Sequence, residues 1–121
     1  MNTLYKKNIR VLMLEPASQQ KLREKAVPNR NLGPAYIIGA LQRHGIEVDY
    51  LDCTVGQSGR NLKETFFNRE EMENGNLRYG MNSSELYEIF AKYDIIATSS
   101  IFSMQTRMHF EVAKIARKVS K

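Results

Sequence analysis

The chain has 121 residues, 42% of them hydrophobic and 26% charged, and a formal net charge of +5. These values are typical of one ordinary globular domain, and no apolar run is long enough to cross a bilayer. The Lys and Arg residues are scattered without an aromatic-interleaved basic block, which argues against a nucleic-acid partner. The single cysteine, Cys53, excludes an internal disulfide, and with no signal-peptide pattern it predicts a cytoplasmic protein.

The first half of the chain predicts a strand, a helix and a second strand. The apolar run in "NIRVLMLEP" is typical of a strand buried on both faces, and Pro16 ends it. A polar segment, residues 17–30, follows with at most one helical turn. The next helix has Gly33 as a cap, Pro34 at its first position and Gly45 just past its end. The alternating "IEVDYLD" then predicts a half-exposed strand at a sheet edge.

An irregular insertion, about residues 56–82, separates this unit from the rest and contains a predicted short helix around Thr65 to Met72. Asn82 and Glu85 have capping-box spacing and start another helix. The segment "DIIATSS" predicts a second buried strand, and an amphipathic helix follows it. The inner stripe of that last helix consists of Met108, Val112, Ile115 and Val119.

This order of elements predicts an α/β fold with a parallel sheet between two layers of helices. The edge-like second strand and the two central-looking strands give the spatial order 2-1-3. Only three strands are predicted, so we expect the sheet to be truncated after the third βα unit. We therefore expect the chain to be the N-terminal part of a longer domain, and its unpaired edge to favour self-association.

The order 2-1-3 places a ligand crevice between the first and third strands, beyond their carboxyl ends. The loops "EPASQQ" and "SSIFSMQT" would flank it. They contain no Gly-rich phosphate motif and no carboxylate cluster for a metal, and neither histidine is expected at a strand end. Hydroxyls among apolar side chains suit a large, mostly apolar ligand, although "TSS" could instead only cap the following turn.

Three stretches in order, "IRVLMLEP", "NLGPAYIIGALQRHGIEVDYLDC" and "NSSELYEIFAKYDIIATSSIFS", resemble the N-terminal cobalamin-binding domain of B12-dependent radical SAM enzymes. The resemblance covers nearly the whole chain. It implies a flavodoxin-like (Rossmann-like) sheet that holds cobalamin at its strand ends. It also implies a downstream radical SAM domain, absent here, which uses S-adenosylmethionine and a 4Fe-4S cluster. Family members transfer methyl groups or perform an anaerobic cyclisation of the Mg-protoporphyrin type.

The resemblance and the crevice together indicate ten cofactor-binding residues and no catalytic or metal-ligating residue in this chain. They are Pro16, Ala17, Ser18, Leu32, Gly33, Ser99, Ser100, Ile101, Phe102 and Ser103. The loop after the first strand contains no histidine, so we expect cobalamin to be held base-off without a histidine ligand. The alternative is the N-terminal half of a GT-B-like glycosyltransferase, which shares a similar helix and "HGIEVDYLD" strand. Such enzymes usually have a Gly-rich loop soon after the first strand, which "EPASQQ" lacks.

Overall fold

The computed structural model describes residues 8–22, 24, 32–99 and 105–119. Its strands are β1 (Val11–Glu15), β2 (Ser18–Gln20), β3 (Val48–Asp52), β4 (Arg69–Glu71), β5 (Leu77–Tyr79) and β6 (Ile95–Ala97). Its α-helices are α1 (Leu32–Arg43), α2 (Leu86–Phe90) and α3 (Thr106–Val119). Two short 3-10 turns, Leu62–Glu64 and Ser83–Glu85, complete the described elements.

The main sheet is parallel, with the strand order β3-β1-β6. Val11 of β1 is opposite Val48 on one side and Ile95 on the other. This is the predicted order 2-1-3, with the strand nearest the N-terminus in the centre. Together with its flanking helices, the sheet forms a small α/β, flavodoxin-like unit, as the sequence predicts.

The hydrophobic core lies on the sheet face covered by α2 and α3. Leu12 and Leu14 alternate with residues of the opposite face and point into this core, as the strand period of two requires. The helices contribute Leu86, Phe90 and the stripe predicted for the last helix. In that stripe Met108, Val112 and Ile115 are buried, and Val119 packs at its margin. The capping box of Asn82 and Glu85 is also confirmed, because both reciprocal hydrogen bonds are present.

The other face of the sheet is covered less completely. Helix α1 begins at Leu32, so Pro34 lies at its third position rather than its first, and Pro34 is the residue that the helix buries. The predicted edge position of the second strand is confirmed, but Leu51 is its buried residue, while Tyr50 lies 45% exposed on the α1 side. The prediction that β6 is buried was wrong. It pairs with β1 alone, among the residues that the structure describes, and its Ile95 is 47% exposed.

The insertion folds as a second, antiparallel sheet with the order β2-β5-β4. The helix predicted around Thr65 to Met72 was wrong: that segment forms a turn followed by β4. The prediction failed because β4 pairs with β5 in an antiparallel hairpin, with Arg69 opposite Tyr79 and Glu71 opposite Leu77. β2, from the polar loop after β1, pairs with the other edge of β5, and this sheet overrides the weak local helical pattern.

Phe66 holds the insertion together from its centre. Its buried ring meets the rings of Phe67 and Tyr79 edge-to-face, with both centroids 5.2 Å away. The guanidinium of Arg69 lies 4.9 Å from the centroid of Phe66 and 4.1 Å from that of Tyr79. These contacts combine apolar burial with cation–π attraction, so the insertion has a small core of its own.

Gly80 connects the insertion to the main core by a close backbone approach. Its φ of +124° lies in a region that other residues rarely adopt, and its N–H donates to the carbonyl of Thr65. A Cβ at this position would lie 2.6 Å from the carbonyl oxygen of Cys53 and 2.9 Å from the Cβ of Ala17. Ala17 belongs to the core, so the loop after β1 and the end of the insertion pack directly together.

Candidate functional site

The carboxyl ends of β1, β3 and β6 meet at one edge of the parallel sheet. Glu15 ends β1, Asp52 ends β3, and Thr98 and Ser99 follow β6. In open parallel sheets this edge is where ligands bind, next to the strand at which the winding direction reverses. The observed strand order makes β1 that strand, so the loops after β1 and β6 flank the candidate crevice.

Tyr50 and Glu15 form a hydrogen-bonded pair across the ends of β3 and β1. The hydroxyl of Tyr50 donates to Oε2 of Glu15 over 2.8 Å. Partial burial, and then this carboxylate, raise the pKa of Tyr50 above its ordinary value. Tyr50 is therefore a neutral hydrogen-bond donor near neutral pH and is not suited to act as a base.

Cys53 follows β3 and has no exposed surface. Burial, and next the charge of Asp52, raise the pKa of its thiol. A thiol that does not ionise near neutral pH is neither a nucleophile nor a good metal ligand. The structure therefore agrees with the interpretation of Cys53 as a small core residue.

His109 is at this edge as well, contrary to the expectation that neither histidine lies at a strand end. Its Nδ1 is 3.1 Å from the hydroxyl oxygen of Thr98, the first residue after β6. Burial lowers the pKa of His109, and the nearby carboxylate of Glu15 opposes this in part. The position of His109 in the sequence could have predicted this. His109 lies near the start of α3, and the start of a helix that follows a parallel strand lies close to the carboxyl edge of the sheet.

The first loop is held in place by a residue of the other loop. Nε2 of Gln105 donates to the carbonyl of Gln19 over 3.0 Å, and the N–H of Gln19 donates to Oε1 of Gln105 over 3.2 Å. Gln105 immediately precedes α3, and Gln19 is the middle residue of β2. Sequence reasoning missed both residues, because a polar loop gives no periodic signal for a strand this short.

The structure describes six of the ten predicted cofactor-binding residues. Pro16, Ala17 and Ser18 lie together where β1 leads into β2, with Ala17 buried in the core. Leu32 and Gly33 are exposed in the first turn of α1, and Ser99 is exposed just after β6. The remaining predicted residues lie outside the described part of the chain. They are Ser100, Ile101, Phe102 and Ser103.

Among the described residues, two of the cavities adjoin the parallel sheet. One of about 340 Å³ adjoins the carboxyl end of β3 and is lined in part by Tyr50, Asp52 and Gly56. Another of about 500 Å³ lies at the amino edge, beside Arg10 and Tyr93. Neither cavity is lined by any of the six described residues that were predicted to bind the cofactor.

The described residues give no sign of a metal site or of a membrane-spanning helix. Within residues 8–22, 24, 32–99 and 105–119, no three His, Cys, Asp or Glu side chains are grouped so that they could hold an ion. No helix in the same ranges has the length and apolar character needed to cross a bilayer.

Comparison with known proteins gives one informative relative. The chain is 26% identical over 115 residues to a cytidylyl-2-hydroxyethylphosphonate methyltransferase of Streptomyces wedmorensis. The match covers 92% of this chain but 20% of the relative, so the chain spans about a fifth of that protein's length. No family model matches the chain, and no solved structure matches it. The chain is thus a distant homologue of part of a larger methyltransferase.

Proposed function

We propose that the chain is the cobalamin-binding module of a radical SAM enzyme that transfers a methyl group. The observation that carries this proposal is the similarity to a methyltransferase over 115 residues, nearly the whole of this chain. The family resemblance of the sequence supplies the cofactor, and the flavodoxin-like sheet supports a ligand site at the strand ends. The relative favours methyl transfer over cyclisation, and over the glycosyltransferase alternative.

The chemistry of the described crevice rim fits a corrinoid. Cobalamin carries carboxamide side chains around a largely apolar ring, so it needs hydrogen-bonding groups beside apolar surface. The loop after β1 offers the apolar Pro16 and the hydroxyl of Ser18, which are half-buried, whereas Ala17, Gln19 and Gln20 are buried. We assign cofactor contacts to Pro16, Ala17 and Ser18, to Leu32 and Gly33, and to the segment Ser99 to Ser103.

When bound, cobalamin would supply a transferable methyl group on its upper face. This chain would bind and orient the cofactor and exclude water from it, and it would contribute no catalytic residue. The radical chemistry would belong to a downstream domain with S-adenosylmethionine and a 4Fe-4S cluster.

We further propose base-off binding without a histidine ligand. The segment Glu15 to Gln20 contains no imidazole, which is the usual strong nitrogen donor to a metal in proteins. His109 is the histidine that the structure brings to the carboxyl edge; its Nδ1 faces the hydroxyl of Thr98, which leaves Nε2 for the variant below to test. Without a strong nitrogen donor from this chain, cobalamin would release its methyl group more readily.

The test is electron paramagnetic resonance of Co(II) cobalamin bound to the purified chain, with His109→Ala as the matched variant. We expect binding, a spectrum without nitrogen superhyperfine splitting, and the same spectrum for the variant. Cobinamide, which lacks the nucleotide tail, should give the same spectrum again.

Each contrary result has a separate meaning. Splitting that disappears in His109→Ala would make His109 the lower ligand. If the splitting instead persists in the variant but is lost with cobinamide, the tail base binds the cobalt. Failure of the folded chain to bind any corrinoid would overturn the cofactor assignment itself.

A further inference from the structure

A further cavity, of about 860 Å³, lies between α3 and the insertion, and we call it the α3 groove. One wall is the outer face of α3, and the opposite wall is formed by β4, β5 and the turn that precedes α2. Ile115 and Met72 line the groove and also pack in the hydrophobic core, so its deepest part is apolar. None of the six described residues that were predicted to bind the cofactor lines it.

The two walls of the α3 groove are joined by an ion pair between Arg78 of β5 and Glu111 of α3. Nε and Nη2 of Arg78 donate to the two carboxylate oxygens of Glu111 over 3.4 and 3.1 Å. Nη2 of Arg78 also donates to the carbonyl of Met81 over 2.9 Å. A bidentate pair of this kind fixes geometry, and its two charges cancel. The pair therefore holds the groove open without supplying net charge for a ligand.

Three cations on α3 line the same groove and are not compensated. Arg107, Lys114 and Lys118 are exposed, and none of them has an ion-pair partner among the residues that the structure describes. They are seven and four residues apart, so they share one face of the helix and span about 17 Å at a rise of about 1.5 Å per residue. This row of positive charge favours an anionic partner along the length of the groove.

Phe110 lies within this row of cations. Its side chain is 62% exposed, three residues after Arg107 and four before Lys114. Tyr87 of α2 also lines the groove and is exposed. A merely solvated helix face gains nothing from a phenylalanine between its charges. Aromatic rings beside an apolar cleft are instead typical of a surface that a protein partner covers.

Length and charge distinguish between the ligands that could occupy the groove. A single phosphate or carboxylate reaches cations within about 4 Å, so it cannot engage a row that spans about 17 Å. A nucleic acid would bring phosphates close to Glu70, which lines the opposite wall. A helix can carry carboxylates on the side that faces α3 and apolar side chains on the side that enters the groove.

We propose that the α3 groove binds an acidic amphipathic helix of a protein partner. The apolar stripe of this helix would cover Phe110, Tyr87 and Met72. Its carboxylates, again seven and four residues apart, would pair with the cations of α3. Two helices that pack side by side at a small angle keep such a register over three turns. The groove is separate from the predicted cofactor residues, so this inference goes beyond the proposed function and does not depend on it.

The experiment measures binding of two synthetic peptides to the purified chain by fluorescence anisotropy. The first is a fluorescein-labelled helical peptide of about 16 residues, long enough to span the row of cations. It carries leucines along one stripe and three glutamates beside it, at separations of seven and four residues. The second peptide has glutamine at those three positions. We expect the acidic peptide to bind about tenfold more tightly at low salt, and the difference to shrink as salt is added.

Variants of the chain then locate the site. Lys114→Gln and Lys118→Gln should each raise the Kd of the acidic peptide about threefold, the scale of one exposed ion pair. Phe110→Ala should raise it about tenfold, because the ring is the largest exposed apolar contact in the groove. The matched control is Lys92→Gln, an exposed lysine outside the groove, which should leave the Kd unchanged. All four side chains are exposed, so we expect each variant to fold, as judged by circular dichroism.

Three results would overturn the inference. Failure of the acidic peptide to bind, or equal affinity for the glutamine peptide, would remove the acidic helix as the occupant. Equal affinity of the wild-type chain and the groove variants would place the peptide elsewhere. If a single-stranded RNA oligonucleotide binds more tightly than the peptide and the same variants weaken it, the groove binds nucleic acid instead. Corrinoid binding is measured separately, so none of these results decides the proposed function.

Discussion

The two faces of the parallel sheet differ in how completely they are covered. On the α2 and α3 face, a continuous core runs from Leu12 and Leu14 to Met108, and the end of the insertion closes it through Met81. On the α1 face, apolar side chains remain in contact with solvent. They are Ile9, Tyr36, Ile37, Ile46, Tyr50 and Ile95.

The two faces therefore differ in what they contribute. The covered face stabilises the fold of the chain itself, whereas the open face can bury further apolar surface only by contact with a partner. The covered face combines elements that are far apart in sequence, so substitutions there should act on folding. The open face leaves several large apolar side chains in contact with solvent, and such groups favour contact with a partner. Substitutions there should act on association instead.

The largest expected effect concerns the covered face, at Gly80. Gly80→Ala would place a methyl group against the carbonyl of Cys53 and force an unfavourable positive φ. We expect a loss of about 3 kcal/mol in the free energy of unfolding, measured by urea denaturation.

The matched control for this change is Gly39→Ala on the open face. Gly39 lies inside α1, and a methyl group added there would meet nothing within 4 Å beyond the backbone of the helix itself. Alanine is the better helix former, so this variant should be more stable by about 0.5–1 kcal/mol. If Gly80→Ala and Gly39→Ala changed the free energy of unfolding with the same sign and by the same amount, that result would contradict the unequal covering of the two faces.

A smaller effect is expected from a charge on the open face. β6 has a free edge among the described strands, and Ile95 is half exposed beside it, so we expect the wild-type chain to self-associate at high concentration. Ile95→Lys should shift it toward the monomer in sedimentation velocity. Phe110→Lys, at a more exposed apolar position on α3, should not. A wild-type chain that stays monomeric at millimolar concentration would refute the role of the open face in self-association.

Comparison of the two faces also explains which features could be predicted from sequence. β1 is predicted by a local apolar run, and the inner stripe of α3 by a local period of 3.6 residues. Both predictions are confirmed. The exposure of Ile95 could not be predicted, because a short apolar run reads the same at a sheet edge and in its centre. The pairing of β2 with β5 likewise joins residues about sixty positions apart.

The candidate site follows the same rule. The strand order was predictable and is confirmed, whereas the crevice between the loops after β1 and β6 stays a prediction. The contacts that build its rim were not, since the bond between Gln19 and Gln105 and the approach of His109 to Thr98 depend on tertiary placement. Polar residues in loops carry little information about their partners until the sheet is assembled.

The smallest expected effect is a pH dependence of the free energy of unfolding. It concerns His109, which lies at the carboxyl edge of the parallel sheet. Its pKa in the folded chain lies below the ordinary value of 6.5, chiefly because of burial, with Glu15 acting in the opposite direction. The unfolded chain therefore binds this proton more tightly than the folded chain does. It follows that stability is highest above pH 6.5 and falls as the pH drops through 6.5 toward the folded pKa.

Measurement of the free energy of unfolding at pH 7.5 and 5.5 would test this directly. The wild-type chain and His44→Gln, a control at the exposed end of α1, should lose more stability on acidification than His109→Gln does. Glutamine keeps a polar group near Thr98 but cannot take up the proton, so only the pH-dependent part should change. Titration of the imidazole by NMR should place the pKa of His109 below 6.5. A value above 6.5 would mean that Glu15 outweighs burial, and the sign of the pH effect would then be reversed.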